Sequence, residues 1–518
     1  MALELNSLAS AVGSGAKNVV FTPTASVLPR KILLIGTYDP LKTAVVDEVP
    51  VLITSSEDAG DQFGFGFQVH RLALAAEKGS KGIETWIQPQ TGTGTASLGD
   101  IDFTGSTGVV AGTLAVYIGG ERVAVTIADS DTPELITDAV VAAINADENL
   151  PVTAVKRAVT FETDITPKDL GLFGDDIDIS LNLDVGDETP TGIVSVITAM
   201  TGGAGVPTIQ DALDALGTGD NANEDFFTDI CHGYGQDSTT FDSVADYVGQ
   251  GNDFIGLYSK TNARPFRNMV ADVAPGSAGL TALIVIGDGR LQDRSQGIVA
   301  VPGSQTHPSD ISAQAIGHMA RINNRRAEEA YNSIVLTDVR PGDKADRWTA
   351  SYDSRDTAVK AGISPTLVES GDVKLQNVVS FYRPANVPVT SNGYREMVNI
   401  SKLQNILDSQ KVNFSSEKWQ NVSIVTDASK VTNPASRLKA RDVGSVLDDV
   451  LRLVKSWEGL AWIADFNFTA NKLKADNSLI TIRTGGDGFT IIIPIILSGI
   501  GNIIDVETQF DISFASLQ

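Results

Sequence analysis

The chain is poor in the residues on which protein chemistry most often runs. One cysteine, Cys231, occurs among 518 residues, so an intrachain disulfide is excluded and no disulfide framework exists. Histidine is scarce: His70, His232, His307 and His318 are the only four. None stands in an H-E-x-x-H or other paired-ligand spacing, so the sequence offers no ready zinc site. The phosphate-cradling spacing G-x-x-x-x-G-K-[ST] is absent, and so is the G-x-S-x-G elbow of hydrolases. No apolar run reaches the roughly 20 residues of a membrane-spanning helix. The densest one, near the end, is broken by Pro494, Ser498, Gly499, Gly501 and Asn502. The first twenty residues show no basic stretch ahead of an apolar one, so no secretory signal is expected. Positive charge is also short. Thirty-nine Lys and Arg against 64 Asp and Glu give a net charge of −25. That argues against a general nucleic-acid binder, because phosphate contacts need cations. It disfavours anionic lipid surfaces and favours solubility and a basic partner surface.

What is present is ordinary globular material, with 42% hydrophobic and 20% charged residues. The length suggests about three domains. Residues 1–30 read as an N-terminal arm holding one short strand candidate, Asn18, Val19, Val20, Phe21 and Thr22. RKILLIGTYDP (30–40) reads as a buried strand entering a turn. A helix follows, capped by Ser55 or Ser56, carrying Leu72, Leu74, Ala75 and Ala76 on its apolar face and stopped at Gly79. IETWIQ is the next strand. This strand–helix–strand order predicts an α/β core over 31–90.

Composition shifts at QTGTGTASLGD (90–100). From there to TAMTGGAGVPT (198–208) the chain is rich in Gly, Thr, Val and Asp. GTLAVYIGGERVAVTIA is a hairpin through Gly119-Gly120, and a helix opens at Thr132-Pro133. VTFETDITPKD and DIDISLNL alternate as strands do. Residues 91–205 thus read as a β-rich inserted domain between Gly-rich joints. The core resumes over 206–500, with room for a further subdomain. Helices are expected in TIQDALDALG, TTFDSVADYVGQG, Ser309–Glu329 and Arg437–Trp457. Strands are expected in DFFTDICHG, DFIGLYS and LTALIVIGDG, with hairpins around Gly371 and over Gly485–Gly488.

The candidates for chemistry have plain structural readings. Cys231 adjoins His232, but neighbours on a strand point to opposite faces, so a buried structural cysteine is expected. Asp175, Asp176 and Asp178 have hard-cation chemistry but lack the EF-hand pattern; they read as a solvated acidic turn. Asp129 and Asp131 read as turn and cap residues. The basic run Arg321–Arg326 has Glu328 and Glu329 nearby. The run Arg437, Lys439 and Arg441 heads a helix, where the macrodipole disfavours cations, and this leaves room for an external acidic partner. So long a chain without a catalytic constellation points away from an enzyme and towards an assembly protein.

The ending divides in two. Phe489–Leu497 reads as a core strand covered on both faces. Residues 501–518 read as an arm strand, with Val506, Thr508, Phe510, Ile512 and Phe514 on one face and polar residues on the other.

Several segments together resemble the tail sheath proteins of contractile-tailed phages, in particular the Mu-like branch, related to tailocin and secretion-system sheaths. SSEDAGDQFGFGFQVHRLALAAEKG carries the early signature through Asp58-Ala59 and Phe63-Gly64-Phe65-Gly66. GTLAVYIGGERVAVTIADSDTPELITDAVVAAINADENLPVTA resembles that branch's inserted domain. DRWTASYDSRDTAVKAGISPTLVESGDVKLQNVVSFYRP resembles the central signature, ending on Ser380-Phe381-Tyr382. The resemblance runs from about Ile32 to the end. It implies an α/β (α+β) core built from both chain ends, a β-rich inserted domain, and extended N- and C-terminal strand arms that pair with neighbouring subunits. It implies a non-enzymatic homo-oligomer, helical with six-fold rings, around a tail tube protein, meeting baseplate and tail terminator proteins. No cofactor, direct nucleic-acid contact or membrane anchor is implied. The place implied is the virion tail, assembled in the host cytoplasm. On charge alone, Arg437, Lys439, Arg441, Lys472 and Lys474 are candidates to face the tube. A β-rich virion shell or adhesin protein, and a nucleotide-dependent enzyme, are the competing readings.

Overall fold

A computed structural model of the chain describes residues 27–158, 161–216, 227–248, 266–383 and 393–499. The strand candidate 18–22, the alternating segment 506–514 and the strand expected in DFIGLYS lie outside the described residues. The described residues divide into two compact units, one holding Val27–Asp408 with 497–499, the other Ser409–Ile496.

The larger unit is organised by KILLIGT. This strand, Lys31–Thr37, is buried along almost its whole length and lies inside a nine-stranded sheet. In spatial order the strands are Val335–Leu336, Asp372–Leu375, Ile363–Glu369, Gln296–Ala300, Arg267–Asp272, Asp229–His232, Lys31–Thr37, Glu84–Gln90 and Val51–Ile53. The six from Ile363–Glu369 to Glu84–Gln90 run parallel. Parallel strands are covered on both faces, and the alternation along Lys31–Thr37 shows it. Ile32 and Leu34 pack with Val69, Leu72, Ile311 and Ile316. Leu33 and Ile35 pack with Ile209, Leu213 and Val244 on the other side. Strands before residue 90 and after residue 228 therefore share one sheet: Ile32 pairs with Thr85 on one side and Asp229 on the other.

The early helix is two helices. Ser55 caps Ser56–Phe63 through Asp58 N at 3.1 Å. Gly64 and Gly66 (φ +102° and +79°) turn the chain into Gln68–Ser80. Gly79 does not stop that helix as expected; it lies inside it. Its role is close approach: a Cβ there would lie 2.6 Å from the Gln314 carbonyl, and one on Gly317 2.5 Å from the Ala76 carbonyl. Helix Pro308–Arg325 thus presses backbone to backbone on Gln68–Ser80.

A second departure concerns LTALIVIGDG. It belongs to helix Gly276–Asp288, not to a strand. Leu280, Leu283 and Gly287 face inward, while Val285 is 68% exposed. A short apolar run carries no period that separates strand from buried helix. The strands on either side of it are Arg267–Asp272 and Gln296–Ala300.

Residues 91–205 form two small sheets. One orders Val196–Thr201, Leu98–Asp102, Thr163–Pro167 and Val152–Lys156; the other orders Glu121–Ile127, Gly112–Ile118 and Ile179–Leu181. Gly119 and Gly120 (φ +57° and +84°) make the two-residue hairpin turn. Helix Pro133–Ala146, capped by Thr132, closes a shared core around Ile101, Val116, Val125, Ile136, Val140 and Ile165. The seam with the large sheet is polar. Thr37 Oγ1 donates to Asp169 Oδ1 at 2.6 Å, Lys168 Nζ to the Phe65 carbonyl at 3.0 Å, and His307 Nε2 to the Phe173 carbonyl at 2.9 Å. Arg340 pairs with Asp184 at 2.6 Å. Helix Gln68–Ser80 has no side-chain cap of its own; Asp169 accepts from the Gln68 backbone N–H.

In the smaller unit, helices Val443–Gly459 and Phe466–Ala475 bury Val446, Val450, Leu453, Val454, Trp457 and Leu473. Ile480–Ile482 and Phe489–Ile491 form the expected hairpin. The strand reading of Phe489–Leu497 holds only for its first three residues. Pro494 lacks the N–H a ladder needs. The remainder runs irregularly, held by Thr469 Oγ1 to the Pro494 carbonyl (2.6 Å) and Ala464 N to the Ile496 carbonyl (2.8 Å). Ile492 is 54% exposed, so the run is not covered on both faces.

Candidate functional site

The residues singled out for chemistry are absorbed by structure. Cys231 is buried, its Sγ 3.4 Å from Ser312 Oγ, and burial pushes the thiol up to about 12. It packs in the cluster of Ile32 and Leu34, whereas His232 stacks on Tyr234; the two side chains point to opposite faces. Burial lowers the pKa of His232 to about 4. His70 Nδ1 accepts from Gly66 N at 3.0 Å. His307 Nδ1 accepts from Ser309 N at 3.2 Å, capping helix Pro308–Arg325. His318 Nδ1 lies 3.1 Å from an Arg321 guanidinium nitrogen. Asp175 accepts from Ser97 Oγ at 2.6 Å and Gly203 N at 2.9 Å, tying the two Gly-rich joints of 91–205 together. Asp131 accepts from Ala128 N at 2.7 Å, a turn contact. Among the described residues, no group of three or more His, Cys, Asp or Glu is placed to hold a metal ion. Among the same residues, no helix is long and apolar enough to cross a membrane.

The smaller unit carries an open groove of about 1060 Å³. Five cations line it, Lys418, Arg437, Arg441, Arg452 and Lys455, against two anions, Asp448 and Asp449. In a chain of net charge −25, this is a local reversal of sign. Its geometry differs from the one expected from sequence. Arg437, Lys439 and Arg441 do not head the long helix. Pro434–Lys439 is a separate short helix, Ala440–Arg441 a two-residue strand beside Ser423–Ile424, and the long helix starts at Val443. Asp442 is its true cap, accepting from Ser445 N at 2.8 Å within a capping box. Arg437 and Lys439 therefore sit in the last turn of Pro434–Lys439, where the macrodipole favours cations.

Side chains hold the groove open. Arg441 donates to the Leu438 carbonyl at 3.0 Å and to the Lys418 carbonyl at 2.9 Å, and its guanidinium lies 5.7 Å from the Trp419 ring centre. Trp419 Nε1 donates to Asp449 at 2.9 Å. Asp449, 1% exposed, also pairs with Lys418 and Arg452. Burial, then the neighbouring Arg452 and Arg441, lowers the Lys418 pKa. Of the five basic candidates, Arg437 and Arg441 line the groove; Lys439 reaches the Gln420 carbonyl at 3.2 Å. Lys472 and Lys474 are exposed near the end of helix Phe466–Ala475 and do not line it. Lys418 and Arg452 were missed from sequence. Only the aromatic Trp419 beside Lys418, and the helical spacing of Asp449 and Arg452, pointed that way.

No protein-family model matches the chain. It is 26% identical over 224 residues to the Mu-like prophage FluMu tail sheath protein of Haemophilus influenzae, a stretch covering 42% of this chain. The match spans 45% of that relative's length, so the chain spans about half of the curated relative it matches. Among solved structures, the sheath tail protein of Desulfitobacterium hafniense aligns over 93% of this chain and 100% of its own (TM-score 0.43, 12% identity). The sheath tail protein Lin1278 of Listeria innocua aligns over 92% and 94% (TM-score 0.45, 13% identity). A contracted-state sheath of an extracellular contractile injection system aligns over 98% and 99% (TM-score 0.41, 7% identity). The relative found by sequence is a tail sheath protein of the Mu-like kind, the group that the sequence motifs resemble.

Proposed function

We propose that the chain is a structural subunit of a contractile tail sheath. It stacks in six-fold rings around a tail tube and contracts to drive the tube through a host envelope during genome delivery. The observation that carries this reading is the 224-residue match to a tail sheath protein, in the company of the signature around Asp58-Ala59 and Phe63-Gly64-Phe65-Gly66. The domain reading fits it: a core from 31–90 and 206–500, the block 91–205 inserted, and arms at both ends. The long helices Pro308–Arg325 and Val443–Gly459 speak against a β-rich shell or adhesin.

Contraction in this reading is release of a metastable packing and needs no nucleotide, cofactor or enzymatic step. Strands 18–22 and 506–514 are lent to sheets of neighbouring subunits. Main-chain hydrogen bonds along a sheet edge bind while letting the attached body pivot. Each is worth about 1 kcal/mol net, but the joint repeats in every subunit. The cationic groove around Arg437 and Arg441 supports a tube-facing role for those two, with Lys439, Lys472 and Lys474 as outlying candidates. Tube, baseplate and terminator proteins are the partners, and the place is the virion tail, built in the host cytoplasm. The test is negative-stain imaging of the purified chain. Sleeves or rings with six-fold symmetry are expected; particles that stay monomeric at every concentration and salt would overturn the reading.

A further inference from the structure

Helix Met397–Phe414 buries Met397, Val398, Ile400 and Ile406, and beside them an unusual set of polar side chains. Asn399, Ser401, Lys402, Gln404 and Asn405 are each at most 3% exposed. Burying such groups is unfavourable unless each finds a partner. Packing alone would be served as well by apolar residues of similar size. What these side chains grip is the chain at both ends of the larger unit.

At the incoming end, Leu28 N donates to Asn405 Oδ1 at 2.9 Å. The buried guanidinium of Arg30 donates to Ser401 Oγ at 2.5 Å and to Gln404 Oε1. Gln404 Nε2 donates in turn to the Thr228 carbonyl at 2.9 Å, at the start of strand Asp229–His232. At the outgoing end, Lys402 Nζ donates to the Ser498 carbonyl at 2.7 Å, steadied by Asn399 Oδ1 at 3.1 Å. All four gripping residues lie within Ser401–Asn405. At 1.5 Å per residue that is about 6 Å of helix axis. Ser401 and Asn405 stand one turn apart on one face, tied by Asn405 Nδ2 to the Ser401 carbonyl at 2.9 Å. Lys402 follows Ser401 directly and lies three residues before Asn405.

We propose that the turn Ser401–Asn405 is a mechanical junction coupling the two ends of the chain. It rests on the reading of 1–30 and 501–518 as arms lent to neighbours. A displacement imposed on one end at Ser498 reaches Leu28 through a single turn of helix, without passing through the sheet. Each subunit thereby passes the strain of one neighbour to another over the shortest rigid path, and coupling through such an element is reciprocal.

The test is hydrogen–deuterium exchange on the full chain carrying Lys402→Met, with peptides covering Leu28 and Ser498. Couplings of this kind are typically 5- to 150-fold, so at least about fivefold faster exchange is expected at Leu28 as well as at Ser498. Peptides of strand Gln296–Ala300 should stay unchanged and so control for the fold. Faster exchange confined to Ser498 would overturn the junction. Should Lys402→Met disturb that control strand, Asn405→Ala reads the same coupling in reverse: exchange must quicken at Ser498, and an unchanged Ser498 overturns the proposal. The two readings fail separately. Sleeves formed by a chain lacking 506–518 would remove the arms and leave this coupling measurable. Absent cross-talk would remove the junction and leave the arms.

Discussion

Asp169 should make the seam between 91–205 and the large sheet sensitive to pH. Its carboxyl is buried and accepts from Thr37 Oγ1 and the Gln68 backbone. Burial outweighs these bonds and the pull of Arg71 and Lys168, raising its pKa from 3.8 to about 7. Between those values the folded chain keeps a proton that the unfolded chain releases. Stability contributed by this group is therefore full at low pH and lost as pH rises through 7. Each pH unit in that window corresponds to about 1.4 kcal/mol. From pH 5.5 to 7.5 the loss is about 2 kcal/mol, since titration saturates near 7. Asp169→Asn keeps the shape and cannot ionise. The variant's stability relative to the parent should climb by about 2 kcal/mol over that interval, which also keeps a chain of net charge −25 clear of its acidic precipitation range. Urea unfolding at pH 5.5, 6.5 and 7.5, followed by tryptophan fluorescence, measures it, and taking the difference cancels groups common to both proteins. A difference flat to within about 0.5 kcal/mol, or one that falls, would refute the reasoning.

In the smaller unit, Asp449→Ala strands Lys418, Arg452 and the Trp419 N–H. It should destabilise by about 2 kcal/mol in thermal unfolding, below the range for a fully buried pair because both cations reach solvent. Reversing Arg437 and Lys439 to Glu should weaken co-sedimentation with tail tubes and flatten its salt dependence. The same reversal at Lys472 and Lys474 tests the outlying candidates, and unchanged binding would remove those two.

How much was legible follows from where local chemistry decides. The Gly119-Gly120 hairpin, the Thr132-Pro133 helix start and the Ser55 cap are set by a few neighbouring residues, and they appear as read. The parallel core around Lys31–Thr37 announced itself by a continuous apolar run. LTALIVIGDG failed for the same reason, because an unbroken apolar run has no period and only tertiary packing made it a helix. Gly79 looked like a stop signal, yet its missing side chain serves helix contact with Gln314 and Gly317. Helix Met397–Phe414 went unread altogether. Its buried residues mix Met397, Val398, Ile400 and Ile406 with Asn399, Ser401, Lys402, Gln404 and Asn405, which blurs the apolar stripe by which a helix is seen in sequence. The basic cluster Arg437–Arg441 was visible as charge, but its groove needed Lys418, Arg452 and Asp449, which only the fold brings together.

In the proposed sheath, the segments 18–22 and 506–514 would link subunits into a sleeve. Electron microscopy of the full chain beside one lacking Val506–Gln518 tests it most directly, with circular dichroism and melting temperature confirming that both subunits fold alike. Long six-fold sleeves are expected from the full chain, and only dispersed, folded subunits from the truncated one. Sleeves of normal length from the truncated chain would contradict it.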